Sequence, residues 1–116
     1  MRVHVVDHPL VAHKLTALRD RRTSSHEFRR LADELVTLLA YEATADLRLR
    51  DKAVETPLAT AQCRELTETI GLVPVLRAGL GMVEGIWEMM PGAEVWHIGL
   101  FRDERTLRPV KYYNKL

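Results

Sequence analysis

Hydrophobic residues recur with a helical period in the first third of this chain and as short unbroken runs thereafter. Val3 and Val5 alternate with Arg2 and His4, a short extended start. Leu10, Val11, Leu15 and Leu18 then return every three to four residues, so the spacing predicts an amphipathic helix over 8–20. Asp7 stands where an N-cap belongs, and Pro9 falls in the first turn, where its missing N–H is no loss. After a polar break at Arg21–Ser25, Ser24 and Glu27 have the spacing of a capping box. Phe28, Leu31, Ala32, Leu35, Val36, Leu38 and Leu39 then keep one face of a second helix reaching about Thr44.

The pattern weakens over 47–58. Lys52–Glu55 reads as a short strand ended by Thr56-Pro57, and Thr60–Thr69 as a stretch containing a short helix before Gly71. The unbroken run Leu72–Leu76 is expected of a strand buried on both faces, with Pro74 making it irregular or placing it near an edge. Gly79 and Gly81 lead into a helix at about 82–90, which Pro91-Gly92 stops. Val95–Phe101 reads as a second buried strand, and Val110–Asn114 as a third or as half of a hairpin with it. Strand, glycine turn, helix and strand in succession predict an α/β fold carrying an N-terminal helical arm. The arm spans 1–50 and the start of the α/β core spans 51–116, within one domain, because 116 residues leave no room for two.

Composition narrows the function classes. Seventeen Lys and Arg against sixteen Asp and Glu give a net charge of +1, so no whole-chain field draws in nucleic acid. Arg19, Arg21, Arg22, Arg29 and Arg30 cluster locally, as a solvated helix end and loop. A single cysteine, Cys63, excludes an internal disulfide, fits a reducing compartment and reads as a packed or inert thiol. No window is apolar enough for a signal peptide or a membrane span, so the expected location is cytoplasmic. His4 and His8 lack a third ligand at metal-site spacing. His97 reads as a hydrogen-bonded core residue, and Met82, Met89, Met90 and Trp87 as helix core.

Two segments carry candidate chemistry. In Val73–Met82, Arg77 sits at the carboxyl end of a predicted strand, followed by small residues at a helix start. That end of the strands is where open α/β sheets bind ligands. Glycines let backbone approach an anion, helix-start amides donate to it, and a guanidinium fork suits phosphate oxygens. Gly85 comes one residue too late for a dinucleotide fingerprint, and no Gly-Lys-Ser/Thr follows for a Walker loop. On the residues alone, anion binding and a plain tight turn stand level. Gly99–Glu104 again puts an arginine, Arg102, at the end of an apolar strand; if both strands share a sheet, Arg77 and Arg102 can converge on one polyanion. Solvated strand caps are the other reading of the same two residues.

The string Val-Pro-Val-Leu-Arg-Ala-Gly-Leu-Gly-Met at 73–82 resembles the signature segment of uracil phosphoribosyltransferases. Gly99–Glu104 with Thr106, Pro109 and Tyr112 is similar to the same family, as are His8-Pro9-Leu10, Leu18-Arg19-Asp20, Phe28-Arg29, Tyr41–Thr44 and Thr56-Pro57-Leu58. The resemblance implies a type I phosphoribosyltransferase fold whose parallel-type sheet is incomplete here. It implies a reaction joining uracil N1 to C1 of 5-phosphoribosyl 1-diphosphate, giving UMP and pyrophosphate in pyrimidine salvage. By that carry-over Arg77, Arg102 and the backbone of Ala78 and Gly79 bind the diphosphate, with Mg2+ bridging substrate oxygens. It further implies a homo-oligomer and, in some relatives, activation by GTP. The family's ribose 5-phosphate loop and uracil-recognising segment have no counterpart in 1–116, where no Thr-Gly pair occurs. The expectation is therefore a fragment without transferase activity of its own. A non-catalytic phosphate- or nucleotide-binding module, or an oligomerisation scaffold built on the two N-terminal helix faces, is the alternative.

Overall fold

A computed structural model describes residues 3–115. Residues 3–8 run into the first helix, α1 (Pro9–Arg19), without regular structure. The N-cap is His8 and not Asp7: His8 Nδ1 accepts a hydrogen bond from the Leu10 amide at 3.1 Å, one residue closer to Pro9 than the sequence pattern suggested. A second helix, α2 (Ser25–Ala43), starts at Ser24, whose Oγ accepts from the Glu27 amide at 3.2 Å. Only this half of the expected capping box forms, because the Glu27 carboxylate instead receives the Arg30 guanidinium.

The apolar stripe of α2 makes the core. Leu31, Leu35, Val36 and Ala40 are buried, with Leu31 only 4% exposed. One side of α2 meets α1, where Lys14 pairs with Glu34. The other meets a third helix, α3 (Val83–Met89), where a Cβ on Gly85 would come within 3.1 Å of the Asp33 carbonyl oxygen. The absent side chain lets the two helix backbones approach.

The next segment overturns one expectation. Thr60–Thr69 forms no helix; β1 (Leu49–Glu55) and β2 (Thr60–Leu66) make an antiparallel hairpin, in register from Leu49↔Leu66 to Glu55↔Thr60. Thr56 closes the turn, its amide donating to the Ala59 carbonyl at 3.1 Å. Across the ladder Glu65 holds both Arg50 and Lys52, and Arg48 pairs with Glu68. The partner strand satisfies the backbone donors, so the segment needs no helical stripe and shows none. The hairpin stands apart from the helices, and Leu58 at its tip is 97% exposed.

The apolar run 72–76 is not one strand. It divides at Val73-Pro74 into β3 (Gly71–Leu72) and β4 (Val75–Leu76). The matching run 95–101 divides at Trp96 into β5 (Glu94–Val95) and β6 (His97–Arg102). β3 pairs with β5 and β4 with β6, both in parallel. Pro74 lacks a donor, yet its carbonyl still accepts from the Ile98 amide at 3.2 Å, so it interrupts the strand without opening the ladder. Nor is the run buried on both faces, since Val75 is 45% exposed. A last strand, β7 (Pro109–Lys115), returns antiparallel to β6 and gives the order β4-β6-β7, the hairpin alternative of the sequence reading. Its register slips at Gly99/Leu100, where the Tyr112 ring lies 2.7 Å from the place a Gly99 Cβ would occupy.

The result is an α/β fold with much apolar surface open. Its accessible area is 9935 Å², against about 6,500 Å² for a compact monomer of this mass. Its radius of gyration is 18.5 Å, where a compact chain of this length would show about 13 Å. Among the described residues no helix is long and apolar enough to cross a membrane.

Candidate functional site

The parallel pairing of β4 with β6 sets the geometry. Leu76 lies opposite Gly99, so Arg77 follows one residue beyond that level and Arg102 three. Two arginines thus leave the carboxyl ends of neighbouring parallel strands, offset by about 6–7 Å along the strand direction. Both are exposed, and among the described residues neither takes part in an ion pair.

The chain then turns immediately. The Leu76–Arg77 peptide is cis, and a 3-10 turn over Ala78–Met82 leads into α3. The Leu80 amide donates to the Arg77 carbonyl at 3.1 Å, while the amides of Ala78 and Gly79 have no backbone acceptor among the described residues. Free donors at a helix start beside a guanidinium are what an oxyanion requires. Gly79 is also fixed by packing: a Cβ there would stand 3.1 Å from Pro74 Cβ and 3.2 Å from its Cα. Gly81 has nothing within 4 Å. Close packing against Pro74 thus accounts for the glycine at 79, while Gly81 stands in open space.

Beyond Arg102 the chain reverses through a tight turn centred on Asp103. Its Oδ1 accepts from the Arg105 amide at 3.0 Å, the Thr106 amide at 2.7 Å and the Thr106 hydroxyl at 2.9 Å. These donors, the Thr106 amide first, hold the Asp103 carboxyl below its ordinary range. The Asp103 amide donates to the Arg108 carbonyl at 3.0 Å, and the Leu107 amide to the Asp103 carbonyl at 2.9 Å. Leu107 adopts φ 55°, a left-handed conformation uncommon for leucine. Asp103 was not singled out by its spacing, although an Asp three residues before a Thr in a polar stretch is an available signal for such a turn.

Two hollows flank these features. One, of about 400 Å³, lies between β3–β4 and α3 against Leu72, Pro74, Gly79, Met82 and Ile86. No charged side chain lines it. The other, of about 320 Å³, is bounded by Leu100, Phe101, Arg102, Leu107 and Pro109. Among the described residues no three His, Cys, Asp or Glu side chains stand together as a metal site.

Other sequence candidates resolve differently. Cys63 is exposed on β2 and not packed, and His97 is half-buried on β6. The expected helix core of Met82, Met89, Met90 and Trp87 does not form: Trp87 is 48% exposed, Met82 and Met89 are exposed, and Met90 is half-buried just past the end of α3. α3 is fully buried only where Gly85 meets α2; Val83 and Ile86 are half-buried, and Glu84, Trp87, Glu88 and Met89 are exposed. The local arginine cluster is solvated, with Arg22 on Asp20 and Arg30 on Glu27 and Glu34.

The chain is 55% identical over 115 residues to a uracil phosphoribosyltransferase of Listeria welshimeri, covering 98% of this chain and 55% of that protein. It is 55% identical over 116 residues to one of Symbiobacterium thermophilum, covering 99% and 56%. The solved structure of the AQ2163 protein from Aquifex aeolicus superposes with a TM-score of 0.88 at 38% identity, over 96% of this chain and 54% of that one. The chain spans about half the length of the curated relatives it matches. The sequence profile of uracil phosphoribosyltransferases matches residues 5–116, and the chain belongs to that family.

Proposed function

We propose that these residues form the diphosphate-binding half of a uracil phosphoribosyltransferase. In the reaction, uracil N1 attacks C1 of 5-phosphoribosyl 1-diphosphate, the C1–oxygen bond breaks and pyrophosphate leaves. Negative charge grows on the leaving group as the ribose becomes oxocarbenium-like, so fixed positive charge at the diphosphate lowers the barrier. One observation carries the assignment: at the carboxyl ends of neighbouring parallel strands stand two arginines with no ion pair among the described residues, beside a loop whose Ala78 and Gly79 amides have no backbone acceptor among them. Arg77 and Arg102 then clamp the diphosphate, and the two amides cradle it.

In this proposal Mg2+ belongs with the substrate oxygens, which as hard donors suit it, and among the described residues no three carboxylate, His or Cys side chains stand together. The excess accessible area supports the further reading that turnover needs more protein around this half. Self-association through the apolar faces, a GTP effect and a cytoplasmic role in pyrimidine salvage belong to the same proposal and follow from family likeness alone.

Titrating the 116-residue chain with 5-phosphoribosyl 1-diphosphate is the direct test. Saturable binding weakened about tenfold or more by Arg77→Ala is expected, from the strength of a charge-assisted phosphate contact. Equal affinity in the variant would remove Arg77 from the site. UMP formation by the purified chain would overturn the half-site reading while leaving the family reaction in place.

A further inference from the structure

We infer that Asp103 is a positioning residue for Arg102, fixing the end of β6 from which that guanidinium reaches the diphosphate; this rests on the function proposed above. Arg102 is the last residue of β6 and lies opposite Pro109. Because the Asp103 amide bonds the Arg108 carbonyl, the alternation of an antiparallel ladder makes Arg102 and Pro109 a pair that exchanges no backbone hydrogen bond. What secures it comes one residue later. Asp103 fastens the hairpin through its own amide to Arg108 and its carbonyl to Leu107, and its Oδ1 gathers three further donors from Arg105 and Thr106. A carboxylate bonded to backbone amides holds a turn more firmly than a neutral acceptor does.

The turn also holds Leu107 at φ 55°, and Leu107 and Arg102 border the same hollow. A leucine persists in that conformation when the surrounding bonds over-determine it. Here those bonds centre on Asp103. The carboxylate shapes a loop that begins one residue after Arg102 and returns beside it, so Arg102 starts from a fixed backbone.

Electrostatics alone predicts the opposite result from positioning, which makes the inference sharp. Removing a negative charge next to an anion site should tighten anion binding if charge is all that matters. Loss of positioning should weaken it, because a group misplaced by about 1 Å loses most of its contribution.

The test is equilibrium titration of the 116-residue chain with inorganic pyrophosphate in the presence of magnesium. Parent, Arg102→Ala, Asp103→Ala, Asp103→Asn and Thr106→Val are compared. Asp103→Ala is expected to bind about fivefold more weakly or worse, and Thr106→Val about twofold. Asp103→Asn keeps an acceptor for the same amides and should bind more tightly than Asp103→Ala, whereas if charge alone mattered both variants would bind more tightly than the parent and to the same extent. If Asp103→Ala loses its fold by circular dichroism, Thr106→Val decides, and parent-like affinity there overturns the inference. Asp103→Ala binding as tightly as the parent, with Arg102→Ala weakened, also overturns it and leaves Arg102 in the site. Absence of pyrophosphate binding by the parent, or parent-like binding by Arg102→Ala, removes the diphosphate role and this inference together.

Discussion

The helical arm and the β1–β2 hairpin differ from the strand ends in what their charges do. Every ion pair among the described residues lies between Lys14 and Glu68, tying α1 to α2, the turn between them to itself, α2 to itself and the two arms of the hairpin to each other. Past Gly71, Arg77, Arg102, Arg105 and Arg108 make none. Burial divides the same way: among the described residues four buried apolar side chains belong to α2, while the sheet half contributes the small side chains of Pro74 and Ala93. The first region is organised to hold itself together. The second keeps cations and apolar surface available to something else, which the proposed function identifies as a diphosphate and the rest of a transferase.

The largest expected effect tests that division at its most charged point. In an active transferase containing this chain, Arg77→Ala should raise the barrier by about 2–4 kcal/mol, the scale for one charge-stabilising donor, without shifting the unfolding midpoint. Steady-state kinetics beside urea denaturation checks both halves of the statement. The comparison is falsified if the variant unfolds more easily and turns over normally. The converse substitution is Leu31→Ala, which empties a site only 4% exposed. It should lower stability by about 2–4 kcal/mol in urea titration and leave pyrophosphate affinity unchanged. Weakened binding there would show that the arm shapes the site as well as supporting it.

Within the loop the contrast narrows to two glycines. Gly79→Ala must displace Pro74 from 3.1 Å, whereas Gly81→Ala meets nothing within 4 Å. The first should cost about 1–3 kcal/mol by crowding, and the second should be neutral or slightly stabilising through the unfolded chain. Equal effects in thermal denaturation would mean that Pro74 yields to the added methyl group.

How far the sequence alone reaches can be judged residue by residue. α2 was legible because a 3.6-residue apolar stripe and a Ser24 cap agree over one continuous segment. β2 was not, because it is defined by partners on β1 between Glu55 and Leu49, and its burial shows no inside-outside alternation to betray a strand. The run 72–76 gave the strand position and the irregularity at Pro74, but its division between β5 and β6 depends on where the second run breaks at Trp96. The expectation of full burial assumed covering layers that these residues do not supply. At the site, the strand-end position of Arg77 and Arg102 was readable, while their promotion above solvated caps came from family resemblance. Asp103 stayed hidden since its role consists of three hydrogen bonds inside a turn, and composition records none of them.

The smallest effect separates the two regions by the origin of their depressed carboxyl groups. Glu65 is held below its ordinary value of 4.5 by hydrogen bonding to Lys52 first and Arg50 second. Asp103 is held below 3.8 chiefly by the Thr106 amide and hydroxyl, with no cation among its causes. Both folded-state values lie below the unfolded ones. Each contribution to stability is therefore complete above the unfolded value and is lost as pH falls through the folded value, which puts the window below 4.5 for Glu65 and below 3.8 for Asp103. Both groups reach solvent, so the gain is modest in each case. Salt distinguishes them. At about 1 M ionic strength the screening length falls to about 3 Å, which weakens exposed ion pairs and leaves backbone hydrogen bonds nearly untouched. Carboxyl chemical shifts followed through an acid titration should show Glu65 returning toward its ordinary value in high salt while Asp103 stays depressed. Parallel behaviour of the two would mean that the unpaired arginines beside Asp103 act on it through their field, and that the strand ends are less free of internal charge coupling than their bare arginines imply.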